Sequence, residues 1–157
     1  MFRLCCYSNN SLTVEKISSL LSEWSNDGWE PDAVVLDYAD ILAPPKGVKE
    51  KRDQINENWM HLRRVSQDFH CLVLTATQAD AKSYGKRLLT KQNFSDDRRK
   101  HDHVTAMLAL NALDEEKELG VMRINYLDRR EAAYTESGEV WVAGCLDIGC
   151  PCMKSTR

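Results

Sequence analysis

The stretch Val34-Val35-Leu36-Asp37-Tyr38, entered through Pro31-Asp32-Ala33, constrains the fold more than any other part of this chain. Three consecutive apolar residues, two of them β-branched, predict a short strand buried on both faces, as in the interior of a parallel sheet. The acid stands where that strand stops. In open α/β sheets ligands collect beyond the carboxyl ends of the strands, so a carboxylate there points at a site and away from the packing. The plainer alternative is an Asp that caps or turns the chain.

A sheet of that kind needs a core, and 157 residues with 43% apolar content suffice for one domain. The net charge of -3 gives no global attraction to nucleic acid, although a local basic patch remains open. No run approaches the roughly 18 apolar residues of a membrane span. Met1 to Cys6 is too short in apolar residues for a secretory signal, so a cytoplasmic location is expected. Cys5, Cys6, Cys71, Cys145, Cys150 and Cys152 are accordingly read as reduced. Cys150-Pro151-Cys152 has one residue between its thiols, where zinc sites use two or more.

Phe2 to Tyr7 reads as a first strand, closed by Ser8-Asn9-Asn10-Ser11. Val14, Ile17, Leu20, Leu21 and Trp24 recur at helical spacing, with Ser11 or Thr13 to cap the start and Gly28 to end it. After the Val34 strand, Pro44-Pro45-Lys46-Gly47 breaks the chain into a loop. The longest helix is expected over Lys49 to Phe69, with Ile55, Trp59, Leu62, Val65 and Phe69 as its apolar stripe.

Cys71 to Gln78 predicts a second buried strand ending on a polar residue, Gln78. From Ala79 to Asp102 periodicity is lost while Lys82, Lys86, Arg87, Lys91, Arg98, Arg99 and Lys100 accumulate. That segment is either a nucleic-acid-facing loop or a solvated surface one. His103 to Leu110 predicts a third buried strand, and Asn111 to Gly120 an acidic turn. Val121 to Leu127 and Glu139 to Cys145 read as a strand pair joined across Glu136-Ser137-Gly138.

The order of these features resembles the C-terminal part of the ATPase domain of DnaB-type replicative helicases and their RecA-like phage relatives. Pro31 to Tyr38 looks like the family's Walker B strand, and Leu74-Thr75-Ala76-Thr77-Gln78 like the strand ending in its sensor glutamine. Ser95-Asp96-Asp97 with His103-Val104 resembles the stretch after the DNA-facing loop. Arg123 to Arg130 is similar to the late strand that ends in a Lys-x-Arg pair. The resemblance implies an α/β, partial RecA-like P-loop NTPase fold: a mostly parallel sheet flanked by helices, with a C-terminal antiparallel strand pair.

For the site, the resemblance implies that Asp37 orients Mg²⁺ through its water shell, with Tyr38 and Gln78 completing the nucleotide side. Gln78 would sense the γ-phosphate, and Arg130 would reach a neighbouring subunit's nucleotide in a homo-oligomeric ring. Asp128 stands where the family has Lys, which leaves Arg129 as an alternative finger. The basic residues Lys82, Lys86, Arg87, Lys91, Arg98, Arg99 and Lys100 would follow the backbone of single-stranded DNA, with Tyr84 or Phe94 available to stack on bases.

The chain nowhere contains Gly-x-x-x-x-Gly-Lys-Ser/Thr, the loop that cradles phosphates. In the family that loop and the catalytic glutamate lie upstream of the Walker B strand, and the residues preceding Pro31 are too few for both and their strands. ATP and Mg²⁺ are thus expected to serve an intact parent, and this chain by itself to be inactive. A non-catalytic α/β module that holds single-stranded nucleic acid or a protein is the alternative. A hydrolase using Asp37 with His61, His70, His101 or His103 is a third, without the Gly-x-Ser-x-Gly turn such enzymes use.

Overall fold

Helix α1, Val14–Asn26, begins where Thr13 accepts the backbone N–H of Lys16 at 3.2 Å, which satisfies one of the free donors of the first turn. It ends at Asp27, and Gly28 turns the chain at φ +79°. Strand β1, Ala33–Leu36, follows, then a 3₁₀ turn over Ala39–Ile41 and the Pro44-Pro45 loop. Helix α2, Lys51–Asp68, returns the chain to β2, Leu72–Thr75. β1 and β2 pair in parallel, with Ala33 opposite Leu72 and Leu36 opposite Thr75.

This computed structural model describes residues 1–97, 99–135 and 137–156. They form two compact units, Met1–Gln78 and Ala79–Arg157. In the first, α2 packs on α1 and on β2, around Val14, Ile17, Leu21, Trp59, Leu62 and Val65. The strands are not buried on both faces as their composition predicts. Exposure alternates along each, and Val35, Leu72 and Leu74 stand open on one side. Only one face carries a helical layer, so alternate apolar residues have nothing to pack on.

Phe2 to Tyr7 forms no strand and joins neither sheet among the described residues. Instead the Arg3 guanidinium lies 5.0 Å from the ring centre of Trp24 and 4.6 Å from that of Trp29. Phe2 and Leu4 remain exposed.

The second unit corrects the expected sheet. After a short helix α3, Lys100–His103, comes β3, Ala106–Asn111, and after α4, Asp114–Glu118, comes β4, Val121–Arg129. β5, Glu139–Cys145, and β6, Cys150–Thr156, complete a four-stranded sheet of order β3-β4-β5-β6, antiparallel throughout. The fold is therefore α/β with a small parallel pair and a larger antiparallel sheet, not a mostly parallel one. The reason lies in the connection between β3 and β4. A five-residue helix followed by Gly120 at φ +65° is long enough to reverse the chain and too short for a parallel crossover. The expected β4–β5 pair forms, although Glu136 of its connection lies outside the described residues. β6 was not anticipated. It pairs with β5 around a turn in which Gly149 takes φ +67°.

One face of the antiparallel sheet packs Met107, Ala109 and Leu127 against Phe94, with Ala79, Leu89 and Val104 around them. The other face leaves Leu108 and Leu110 exposed. Among the described residues no helix is long and apolar enough to cross a membrane.

Candidate functional site

Because β1 and β2 run in parallel and in register, their carboxyl ends lie side by side at one edge of the pair. Asp37 follows the last residue of β1, and Gln78 lies three residues past the end of β2. The Gln78 amide Nε2 donates to the Tyr38 hydroxyl at 3.3 Å. Asp37 and Gln78 are exposed, and the Asp37–Tyr38 peptide is cis.

The edge is built by a threonine. Thr75 Oγ1 donates to the Leu36 carbonyl at 3.1 Å and accepts the Ala39 N–H at 2.9 Å, which ties the turn after β1 to the end of β2. Asp40, which sequence reasoning passed over, braces the same place. Its Oδ1 accepts the Trp59 indole N–H at 3.2 Å and its Oδ2 the Thr77 hydroxyl at 2.5 Å. Asp40 is thus bound into the scaffold, whereas Asp37 presents its carboxylate to solvent. Asp40 follows Asp37 by three residues, and no periodicity across a turn of that kind separates a bracing acid from a free one.

Among the described residues no group of three or more His, Cys, Asp or Glu could hold a metal ion. A lone exposed carboxylate suits a cation that keeps most of its water, which is how Mg²⁺ is usually held. At this edge Asp37 and Gln78 offer one exposed carboxylate and one exposed amide. The phosphate cradle does not fit: Gly144 and Gly149 have the spacing of its two glycines, but Cys150 and Pro151 stand where it needs Lys and then Ser or Thr.

Within the first unit no histidine joins Asp37. His61 on α2 faces Glu15 at 4.0 Å, and His70 sits before β2, at the opposite end of the pair from Asp37. His101 and His103 belong to the other unit.

In the second unit the basic segment is a folded element, not an open loop. It has 3₁₀ turns at Ala81–Ser83 and within Lys91–Asp97, the latter broken at Phe94. Three of its cations are committed or buried: Arg87 meets Glu139 at 2.5 Å, Lys91 meets Asp128 at 3.1 Å, and Lys100 is buried. Arg99 is half-buried and also has a partner. Arg98 lies outside the described residues. Phe94 is 7% exposed inside the core, which removes it as a base-stacking ring, whereas Tyr84 is 88% exposed. Lys82, Tyr84 and Lys86 therefore form the accessible tip, with Gly85 at φ +75° making the bend.

At the end of β4, Arg130 Nη2 donates to the carbonyl of Asp102 at the end of α3, and the Arg130 N–H donates to Thr105 O at 3.0 Å. Arg129 lies over the Tyr126 ring at 5.4 Å. Besides Lys91, Asp128 has His101 Nδ1 at 3.6 Å. Burial pushes the His101 imidazole below its ordinary pKa, against the pull of Asp128.

Sequence reasoning also missed a polar cluster on the inward face of the antiparallel sheet. Arg123 is fully buried and clasps Glu116 with two bonds, Nε to Oε1 at 2.8 Å and Nη2 to Oε2 at 2.7 Å. Its Nη1 donates to the Arg87 carbonyl and lies 3.6 Å from Glu139. Hydrogen bonding to Arg123 holds Glu116 below the ordinary glutamate range. For Glu139, burial works upward, and the Arg87 and Arg123 cations outweigh it, so its pKa also falls. The only sequence signal was the alternation Arg123, Asn125, Leu127, which puts two polar residues on a core-facing row.

No family model and no curated protein matches the chain. Solved structures do. The chain superposes on a structure described as an ATPase domain with a TM-score of 0.75 at 16% identity, over 88% of this chain and 50% of that one. It superposes on one described as "The Structure Of A DnaB-Like Replicative Helicase And Its Interactions With Primase" with a TM-score of 0.73 at 15% identity, over 85% of this chain and 33% of that one. At such identities the likeness is one of fold: this chain has the fold of part of a RecA-like helicase ATPase domain. It spans half the length of the first of these chains and a third of the second.

Proposed function

We propose that this chain is the acid-and-amide half of a RecA-like ATPase domain that acts on single-stranded DNA, and that it is inactive until a phosphate-cradling half completes it. The observation that carries the reading is the shared edge: Asp37 and Gln78 follow adjacent parallel strands at the same end, bridged through Tyr38. In the completed domain Asp37 would orient hydrated Mg²⁺, and Gln78, with Tyr38 as its support, would read the terminal phosphate. ATP bound there would supply the energy of the motor. Arg130 or Arg129 would supply the cation to a neighbouring subunit's nucleotide in a ring.

The open sheet face at Val35, Leu72 and Leu74 supports the same reading, since parallel sheets are ordinarily covered on both sides. A single-domain organisation within the parent, as the C-terminal portion of its ATPase domain, follows from it.

A second reading, a non-catalytic module that grips single-stranded nucleic acid, is favoured by Lys82, Tyr84 and Lys86, two lysines flanking an exposed ring. Two assays on the purified 157-residue chain test the first against the second: ATP turnover, and anisotropy of a labelled oligothymidine. The half-domain reading expects no turnover above background, and salt-sensitive oligonucleotide binding without nucleotide would favour the second reading. Turnover that Asp37→Ala abolishes would overturn the half-domain reading.

A further inference from the structure

The tip that carries Tyr84 is held from both sides by buried polar residues, and these have no part in the nucleotide edge. On one side Asn93 collects the chain: its carbonyl accepts the Asp80 N–H at 2.9 Å and the Ser83 hydroxyl at 3.4 Å, and its Oδ1 accepts the Thr90 N–H at 2.9 Å. On the other side the sheet takes hold of backbone. Asn111 Oδ1 accepts the Leu89 N–H at 2.7 Å, Asn125 Nδ2 donates to the Leu89 carbonyl at 3.3 Å, and Arg123 donates to the Arg87 carbonyl. Asn111 Nδ2 in turn donates to Asn125 Oδ1 at 2.8 Å, so the two amides orient each other. Asn111, Arg123 and Asn125 are all buried.

Buried amides and a buried guanidinium are costly unless their hydrogen bonds are made, and here the partner is the backbone immediately following the tip. A packed apolar row would have sufficed for the core alone. Apolar residues, however, leave a short stretch of backbone free to slide, whereas paired donors and acceptors fix its register.

We infer that Asn111, Arg123 and Asn125 are positioning residues for nucleic-acid binding, which hold Arg87 and Leu89 so that Tyr84 and Lys86 project from a fixed base. The inference rests on the reading of the Lys82–Tyr84–Lys86 tip as the nucleic-acid contact. Arg87 itself is paired to Glu139, so it acts as part of the anchor and not as a phosphate contact.

The test combines amide hydrogen exchange with a double-mutant cycle. Asn111→Ala removes the acceptor of the Leu89 N–H, and that amide is expected to exchange about tenfold faster while the β4–β5 amides keep their protection. Tyr84→Ala is expected to weaken oligothymidine binding about fivefold or more, the loss expected for one stacked base. Asn111→Ala is expected to weaken it too, yet to add less than about twofold in the Tyr84→Ala background, because both act through the same tip. Arg123→Lys, which keeps the charge and loses the fork, is the second variant, expected to loosen the Arg87–Leu89 stretch in the same way. Unchanged Leu89 exchange, or losses that simply add, would overturn the inference. If the unmodified chain fails to bind oligothymidine, the tip's role falls, and the inference with it, even where Leu89 exchange confirms the anchor.

Discussion

The side-chain amide of Gln78 donates to the phenol oxygen of Tyr38 at 3.3 Å, across the carboxyl ends of two parallel strands. That bond joins the residue beside an exposed acid to the residue proposed to read a phosphate. It is exposed, so its contribution to stability is small, and what it sets is where two side chains stand relative to one another.

The two acids at this edge are expected to behave oppositely. Asp40→Ala removes the acceptor of the Trp59 indole N–H and the Thr77 hydroxyl bonds, and should cost about 1–3 kcal/mol in denaturant unfolding. Asp37→Ala, at an exposed position, should fall within about 0.5 kcal/mol of the parent. A large loss of stability for Asp37→Ala would make it a structural acid.

The two aromatic residues of the basic segment divide in the same manner. Phe94→Ala empties a site among Met107, Ala109 and Leu127 and should cost about 3–5 kcal/mol. Tyr84→Ala should leave the unfolding curve within about 0.5 kcal/mol and act only on oligonucleotide binding. Both are read from urea titrations of the two variants beside the parent.

Acid should loosen the antiparallel sheet. Glu116 and Glu139 have lowered pKa values in the folded state, so their contribution is complete above the unfolded glutamate value of about 4.3 and is lost as pH falls through the lowered folded values. Thermal unfolding should therefore fall in midpoint below roughly pH 4, and Glu116→Gln should flatten that limb while lowering stability at neutral pH. An acid limb unaltered by Glu116→Gln would show that Arg123 is not what holds that carboxylate.

Much of the first unit was legible in the sequence because its signals are local. Thr13, Gly28 and the Pro44-Pro45 break mark boundaries through backbone chemistry, and the α2 stripe through Trp59, Leu62 and Val65 repeats at helical spacing. Asp37 and Gln78 were placed at one edge because parallel strands share a carboxyl end.

Where signals are not local the reading failed. Phe2 to Tyr7 has strand composition, but a strand exists only with a neighbour, and cation–π contacts of Arg3 with Trp24 and Trp29 lie along this stretch instead. His103 to Leu110 carries the apolar residues of a parallel core strand, and the short return through Gly120 makes it antiparallel. Arg123 and Asn125 sit on the inward row with Leu127, while Ile124 and Tyr126 fall on the other face. An apolar-in assumption assigns those faces backwards, and so hides the cluster that anchors the tip.

In the function proposed above, Asp37 is the metal-side acid of a site whose phosphate cradle this chain does not supply. ATP turnover, measured after joining this chain to a polypeptide that supplies the Gly-x-x-x-x-Gly-Lys-Ser/Thr loop of a RecA-like domain, tests it directly. Turnover is expected only in the joined protein, with a requirement for Mg²⁺, and is expected to be lost in Asp37→Ala without loss of folding. Turnover in the joined protein that survives Asp37→Ala undiminished would contradict that role for Asp37.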